Sequence, residues 1–271
     1  MKTNSKSSST LVREKSFHDL WASCINIDEV IVDELFQAST SPENRIIINR
    51  LGDIRNKRIL ELGCGAGEAS VYFAKKGATV TALDISPGML EIVQKLARKH
   101  GVSLSTKQSS SDYIDFEDES FDIVYAANLL HHVDIFITIK EAARVLKRGG
   151  YFVSWDPIAH NPIINVYRRM ATKVRSRDEH PIKMKQLKLI SKYFSHMETE
   201  TTWFFTLLIF LKYYFIDKVH PNEERYWKKI LTEHKRLEKN YYRLEKFDKF
   251  FLKVFPFLKR YCWNVVIIAI K

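Results

Sequence analysis

The sequence predicts an α/β fold built on a doubly wound, mostly parallel sheet. Two observations lead there: short apolar runs alternate with helical segments in the front of the chain, and a glycine cluster directly follows one such run. Composition divides along the chain in the same sense. All nine glycines fall at or before Gly150, whereas 24 of the 34 aromatic residues fall after it. Residues 1–150 hold 19 basic and 20 acidic side chains and residues 151–271 hold 24 and 12, so the net +11 belongs to the back. With 271 residues, 45% of them hydrophobic, the chain can bury a full-sized core, which excludes disorder and a disulfide-stapled miniature fold.

Taken in order, residues 1–16 read as a flexible tail, because their Ser/Lys/Thr-rich start lacks the apolar stretch of a signal peptide. Phe17 to Phe36 carries apolar residues at mixed helical spacing, and Ser41-Pro42 opens a helix to about Leu51. Arg58 to Leu62 is a short apolar strand, Gly63-Cys64-Gly65-Ala66-Gly67 a turn, and Glu68 to Lys76 a helix. Ala78 to Leu83 is a second strand closed by Asp84, and Ser86-Pro87 starts a helix to His100. Phe121 to Ala126 is a strand, Ile135 to Leu146 a helix, Gly149-Gly150 a turn, and Tyr151 to Trp155 a further strand. Such alternation implies parallel strands covered on both faces.

The back does not continue the alternation. Asn222 is placed as an N-cap, and apolar residues from Trp227 to Phe251 recur at three- and four-residue steps, giving one or two long amphipathic helices. Trp263 to Ile270 is an apolar, β-branched strand. Cys24, Cys64 and Cys262 are odd in number and widely spaced, which suggests a reducing, cytoplasmic setting with no metal site.

Glycines between a strand and a helix let backbone amides approach a ligand, and an acid ending the next strand accepts hydrogen bonds from ribose hydroxyls. Gly63, Gly65 and Gly67 with Asp84 form this pair. Glu61 and Glu68 add carboxylates beside the turn, which repel a pyrophosphate and suit a cationic ligand. An NAD(P)-dependent oxidoreductase on a similar fold is therefore the weaker reading.

The string Ile59 to Gly67, with Val80 to Leu90, resembles the first two motifs of class I S-adenosylmethionine-dependent methyltransferases. Glu119 to Val124 with Leu130-His131-His132-Val133, and Arg144 to Gly150, resemble the later ones. The group with ubiquinone/menaquinone C-methyltransferases and other small-molecule methyltransferases is the most similar. The resemblance implies a Rossmann-like seven-stranded sheet with an antiparallel last strand, and S-adenosylmethionine as cofactor. It implies that Glu61, Gly63, Cys64 and Gly65 face the methionine part, that Asp84 takes the ribose, and that Ile85 and Met89 lie against the adenine. Ser110 or Ser111 stands where relatives often carry aspartate, with Asp112 able to substitute, and Asn128 lines the floor under the sulfonium.

Methyl transfer to a hydroxyl or activated carbon needs a base. His131, His132, Asp156 and His160 are the candidates, each lying past a strand at the ligand-binding edge. Tyr167, Arg168, Arg175, Arg177 and His180 are placed at the acceptor, where arginines grip an anionic group. Phe17, His18 and Trp21 form an N-terminal lid. Residues 17–160 are thus the cofactor core with its lid, 161–255 a helical cap with one core strand, and 256–271 the last strand.

The basic, aromatic back lacks any nucleic-acid-binding module, which argues against a nucleic-acid partner. Trp203 to Ile216 is too short for the roughly 20 residues that span a bilayer, yet its flanking lysines also fit peripheral contact with a membrane surface. The expectation is methyl transfer from S-adenosylmethionine to a small, amphipathic or anionic acceptor, with no obligate protein partner. A non-catalytic S-adenosylmethionine-binding protein is the second alternative.

Overall fold

A computed structural model describes residues 8–171 and 179–271. Its centre is a seven-stranded sheet in the order β3-β2-β1-β4-β5-β7-β6. The strands are β1 (Arg58–Leu62), β2 (Thr79–Asp84), β3 (Ser105–Gln108), β4 (Phe121–Ala127), β5 (Leu146–Pro157), β6 (His196–Thr202) and β7 (Asn264–Ile270). Strands β1 to β5 pair in parallel, and β7 runs antiparallel to both β5 and β6. The expected mostly parallel sheet with an antiparallel last strand is what forms. The extra strand anticipated within 161–255 is β6, at the open edge.

Around the sheet lie α1 (Ser8–Ser23), α2 (Asp33–Gln37), α3 (Pro42–Leu51), α4 (Glu68–Lys75), α5 (Pro87–Lys99) and α6 (Ile135–Val145). Then follow α7 (Pro162–Met170), α8 (Met184–Ile190), α9 (Leu208–Phe215), α10 (Tyr226–Thr232) and α11 (His234–Val254). Caps follow the sequence signals: Ser86 accepts from the Met89 amide at 3.1 Å, and Asn161, before Pro162, accepts from Ile164 at 2.9 Å.

Because successive strand side chains alternate between faces, each central strand feeds two cores. Leu60, Leu62, Val124, Phe152 and Ile267 join Ile139 of α6 on one side. Ile59, Val80, Ile123, Tyr125 and Val266 join Ile47, Phe73 and Leu96 on the other. A third cluster, with Trp203, Phe210, Tyr213, Tyr226 and Tyr241, holds the helices of the back together, which is where its aromatic content goes.

Three local expectations change. Residues 8–16, read as tail, are helical and belong to α1. Gly149-Gly150 lies within β5, where the β4 pairing shifts register, rather than in a separate turn. Asn222 lies in a turn, and the N-cap is Arg225, three residues later, with the helix beginning at Tyr226. The Trp203–Ile216 stretch divides between a loop and α9, and no helix among the described residues is long and apolar enough to cross a membrane.

Candidate functional site

The parallel strands β1, β2, β4 and β5 end along one edge, and a cleft of about 380 Å³ opens there. Glu61, Gly63, Cys64, Gly65, Asp84, Ile85, Ser110, Ser111, Asn128, His131 and His132 line it, together with Phe17, His18 and Trp21 of α1. Tyr167 and Arg168 line it from the side of the helical back.

The glycine loop requires glycine for two different reasons. Gly63 has φ +64°, which strains any L side chain, and a Cβ there would lie 2.6 Å from Leu129 Cδ1, so that leucine would also have to move. Gly65 has φ +51° with no atom within 4 Å of a would-be Cβ, so the space beside it is open. Gly63→Ala is therefore expected to cost about 2–4 kcal/mol in denaturant unfolding, from left-handed strain plus overpacking. Gly65→Ala should cost only about 1–2 kcal/mol.

Asp84 is held by the loop it faces. Its Oδ2 accepts from the Gly65 amide at 3.0 Å and its Oδ1 from the Ser86 amide at 2.9 Å. Each oxygen retains a lone pair for a ligand hydroxyl. Burial raises the Asp84 pKa against these two hydrogen bonds. Glu61 is buried at the end of β1 and accepts from Ser70 Oγ. Burial, with Glu68 and Asp84 nearby, pushes its carboxyl up to about 8. Three carboxyl groups thus surround the glycine turn, a setting that favours an incoming cation. Burial also raises the Cys64 thiol well above its ordinary value, which leaves it neutral and unreactive.

Beyond β4, His131 and Asp156 form a buried pair. His131 Nδ1 lies 2.8 Å from Asp156 Oδ1, and the His131 amide donates to the same oxygen at 3.2 Å. His131 is 3% exposed and Asp156 0%, so the carboxyl is walled in behind the imidazole. Burial raises the Asp156 pKa well above the carboxylate range. Asp156 thus fixes the orientation of the His131 ring from behind. Next to it, His132 Nδ1 lies 3.6 Å from Glu14 Oε2, and His18 Nε2 lies 3.8 Å from the same atom. Glu14 therefore ties α1 to the edge of the site. His131, His132 and Glu179 bring one donor atom each within 4.8 Å of one another, a spacing a divalent cation can bridge.

Several expected residues are placed elsewhere. Met89 is fully buried among Ala22, Ala66 and Ile92 and does not line the cleft. Asp112 accepts from Thr138 Oγ1 at 2.9 Å and is likewise absent from the lining. His160 is exposed outside the cleft, because the chain turns outward before Asn161 caps α7. His180 is exposed too, and its contribution is a backbone amide donating to the His131 carbonyl at 2.7 Å. Arg175 and Arg177 lie outside the described residues. Asn128 lines the cleft with φ +54°, its amide donating to the Trp155 carbonyl at 2.7 Å.

The structure adds residues that the sequence did not single out. Asn44 Oδ1 accepts from Tyr125 Oη at 2.8 Å and Trp155 Nε1 at 3.1 Å, fixing two aromatic walls. The buried Glu43 accepts from Thr202 and Asn264, which joins α3 to β6 and β7. Both looked like ordinary polar residues of a helix start. Arg225 lines the cleft as well, although it was not among the individual acceptor residues expected.

Comparison with known proteins shows what the domain around this cleft is similar to. Residues 60–154 match the family described as a methyltransferase domain, a span covering β1 through most of β5. Over these residues the chain is similar to S-adenosylmethionine-dependent methyltransferase domains. Among curated relatives, it is 36% identical over 107 residues to a probable phthiotriol/phenolphthiotriol dimycocerosates methyltransferase 2 of Mycobacterium ulcerans, covering 38% of this chain and 41% of that one. It is 38% identical over 104 residues to the ubiquinone biosynthesis O-methyltransferase of Xanthomonas oryzae pv. oryzae, covering 36% and 42%. The chain thus spans about two-fifths of the length of these relatives.

The methyltransferase domain also has the fold of a solved phosphoethanolamine N-methyltransferase 2 from Haemonchus contortus in complex with phosphomonomethylethanolamine and S-adenosylhomocysteine. The two share a TM-score of 0.57 at 20% identity, with 85% of this chain and 52% of that one covered. The family's cofactor, S-adenosylmethionine, is a cation with ribose hydroxyls. The open space at Gly65, the carboxylate of Asp84 and the buried acid Glu61 fit such a ligand chemically.

Proposed function

We propose that the chain transfers a methyl group from S-adenosylmethionine to a nucleophilic atom of a small acceptor bound beside His131. One observation carries the reading: the Asp84-braced glycine loop and the His131–Asp156 pair open into one cleft. When bound, the cofactor supplies a methyl made electrophilic by its sulfonium. Asp84 takes the ribose hydroxyls and Glu61 holds the ammonium, while Gly63 and Gly65 bring the loop backbone close. Ile85, Ser110 and Ser111 receive the adenine.

His131 removes the acceptor's proton at Nε2, and Asp156 keeps the ring oriented and shares the charge that develops. The Glu14, His18 and His132 contacts close α1 over the site and keep water out. Residues 161–255 act as the acceptor cap, since Ile164, Tyr167, Trp203 and Ile230 present an apolar wall to the cleft. The partner is a small-molecule acceptor.

Proton linkage tests the cofactor half. Free Glu61 holds its proton up to about pH 8, whereas contact with an ammonium favours the carboxylate. The cofactor's amino group titrates at about 7.7–8.0. Binding at pH 7 should therefore release most of one proton, and binding above pH 9 should take one up. Calorimetry in buffers of different ionisation enthalpy reads this directly; heat independent of buffer at pH 7 would remove Glu61 from the ammonium site. The same raised pKa makes the cofactor-free protein lose stability as pH rises from 4.5 to about 8, because the unfolded chain gives up that proton first.

A further inference from the structure

Two arginines line the cleft, Arg168, which was expected at the acceptor, and Arg225, and the methyl-transfer chemistry gives Arg225 no role. Arg225 precedes α10 and lines the cleft, with its guanidinium carbon 4.6 Å from the centroid of the Trp21 ring of α1. Among the described residues no carboxylate pairs with it. Its sequence neighbours are committed elsewhere: Glu224 pairs with Lys229 at 2.8 Å, and Glu223 accepts from the His220 amide at 3.3 Å. Burial lowers the Arg225 pKa, and Tyr167 is the one group that works against this electrostatically.

A partly buried guanidinium without a counter-charge is costly, and it persists where an anion arrives to complete it. The ring of Trp21 covers one face of the fork and leaves its in-plane N–H donors for hydrogen bonding. Around it the walls are apolar: Ile164, Trp203, Ile230, Leu231 and Trp263 line the same cleft.

We propose that Arg225 is the anion-recognition residue of the acceptor subsite, and that the acceptor is an apolar molecule carrying a carboxylate or phosphate. The guanidinium grips the oxyanion by a forked pair of hydrogen bonds, and the apolar wall takes the remainder. Since Arg225 belongs to the cap and Trp21 to α1, an anion held there also fastens the two covers to each other. Calling the bound molecule the acceptor rests on the methyltransferase reading; the anion subsite itself does not.

The test is a titration of the protein saturated with S-adenosylhomocysteine, using octanoate, octyl phosphate and neutral 1-octanol as probes. An anionic probe should bind at least about tenfold tighter than octanol, and the two anions separate carboxylate from phosphate preference. Arg225→Gln should weaken anion binding about ten- to a hundredfold while shifting octanol by less than about threefold. Arg225→Lys, which keeps the charge and loses the fork, should fall between.

Equal binding of anions and octanol to wild type would overturn the proposal. So would an Arg225→Gln protein that holds anions as tightly as wild type while only melting earlier, which would make Arg225 a latch for Trp21. If Arg225→Gln does not fold, the wild-type comparison and Arg225→Lys decide. Failure of S-adenosylhomocysteine to bind would overturn the methyltransferase reading instead, and the same three probes on the unliganded protein would still decide the subsite.

Discussion

Replacing His131 by alanine is expected to lower kcat by about 10²- to 10⁴-fold, the range for loss of a positioned general base, with cofactor affinity nearly unchanged. The expectation rests on geometry: Asp156 Oδ1 lies 2.8 Å from Nδ1, so a buried carboxyl orients an imidazole that lines the cleft. Asp156→Asn keeps the shape and removes the carboxylate that stabilises the protonated ring. It should lower kcat and move the acid limb of the pH–rate profile to lower pH, since the imidazole becomes a weaker base. A purely structural pair would respond differently: His131→Ala would leave a buried Asp156 without its partner and cost about 1–3 kcal/mol of stability, with no change in the profile of the surviving activity. Rates are read on the extract fraction that the wild-type protein methylates, and His132→Ala serves as the comparison. Loss equal to that of His131→Ala would shift the base to His132.

Asp84→Ala should weaken S-adenosylmethionine binding about a hundredfold or more by calorimetry. The proposed ribose contact loses two charge-assisted hydrogen bonds, each worth about 1.5–3 kcal/mol. The Gly65 and Ser86 amides also lose the acceptor that braces the loop. Asp84→Asn keeps one acceptor oxygen and should lose less. Because Asp84 is buried, removing it relieves a desolvation cost, so stability should fall less than affinity does. Wild-type affinity in Asp84→Ala would show that the ribose is not held there.

The fold was legible because its central strands are apolar and mostly buried, and its turns are marked by glycines in a chain that has few. Asp84 was legible for a related reason: strand, glycine turn, helix and strand follow one another without a gap, so adjacency in sequence is adjacency in space. The base was not. His131, His132, Asp156 and His160 look equivalent in a linear reading, and only the parallel pairing of β4 with β5, register Ala127 to Trp155, sets Asp156 behind His131 and leaves His160 outside. Strand β6 reads His-Met-Glu-Thr-Glu-Thr-Thr, a polar edge whose only ladder is to β7, so hydrophobicity says little about where it begins. Glu43 and Asn44 read only as a helix start, and Arg225 only as one residue of a charged segment. Their roles come from contacts across more than 80 positions, such as Tyr125 to Asn44 and Arg225 to Trp21.

The back of the chain also changes meaning once its contacts are known. Its aromatic residues close a helical core and line the cleft, and part of its basic excess is absorbed by local pairs such as Lys212 with Asp217 and Lys229 with Glu224. Arg225 is different, because its charge is directed at the cleft and has no such partner among the described residues.

The most direct test of methyl transfer is to incubate the purified protein with S-adenosylmethionine labelled in its methyl group and with fractionated cell extract, and to follow the label by mass spectrometry. The expected result is a labelled small molecule formed in proportion to enzyme, carrying an anionic group, and lost with Asp84→Ala and His131→Ala. Tight cofactor binding with no labelled product in any fraction would contradict it and leave a protein that binds S-adenosylmethionine without using it.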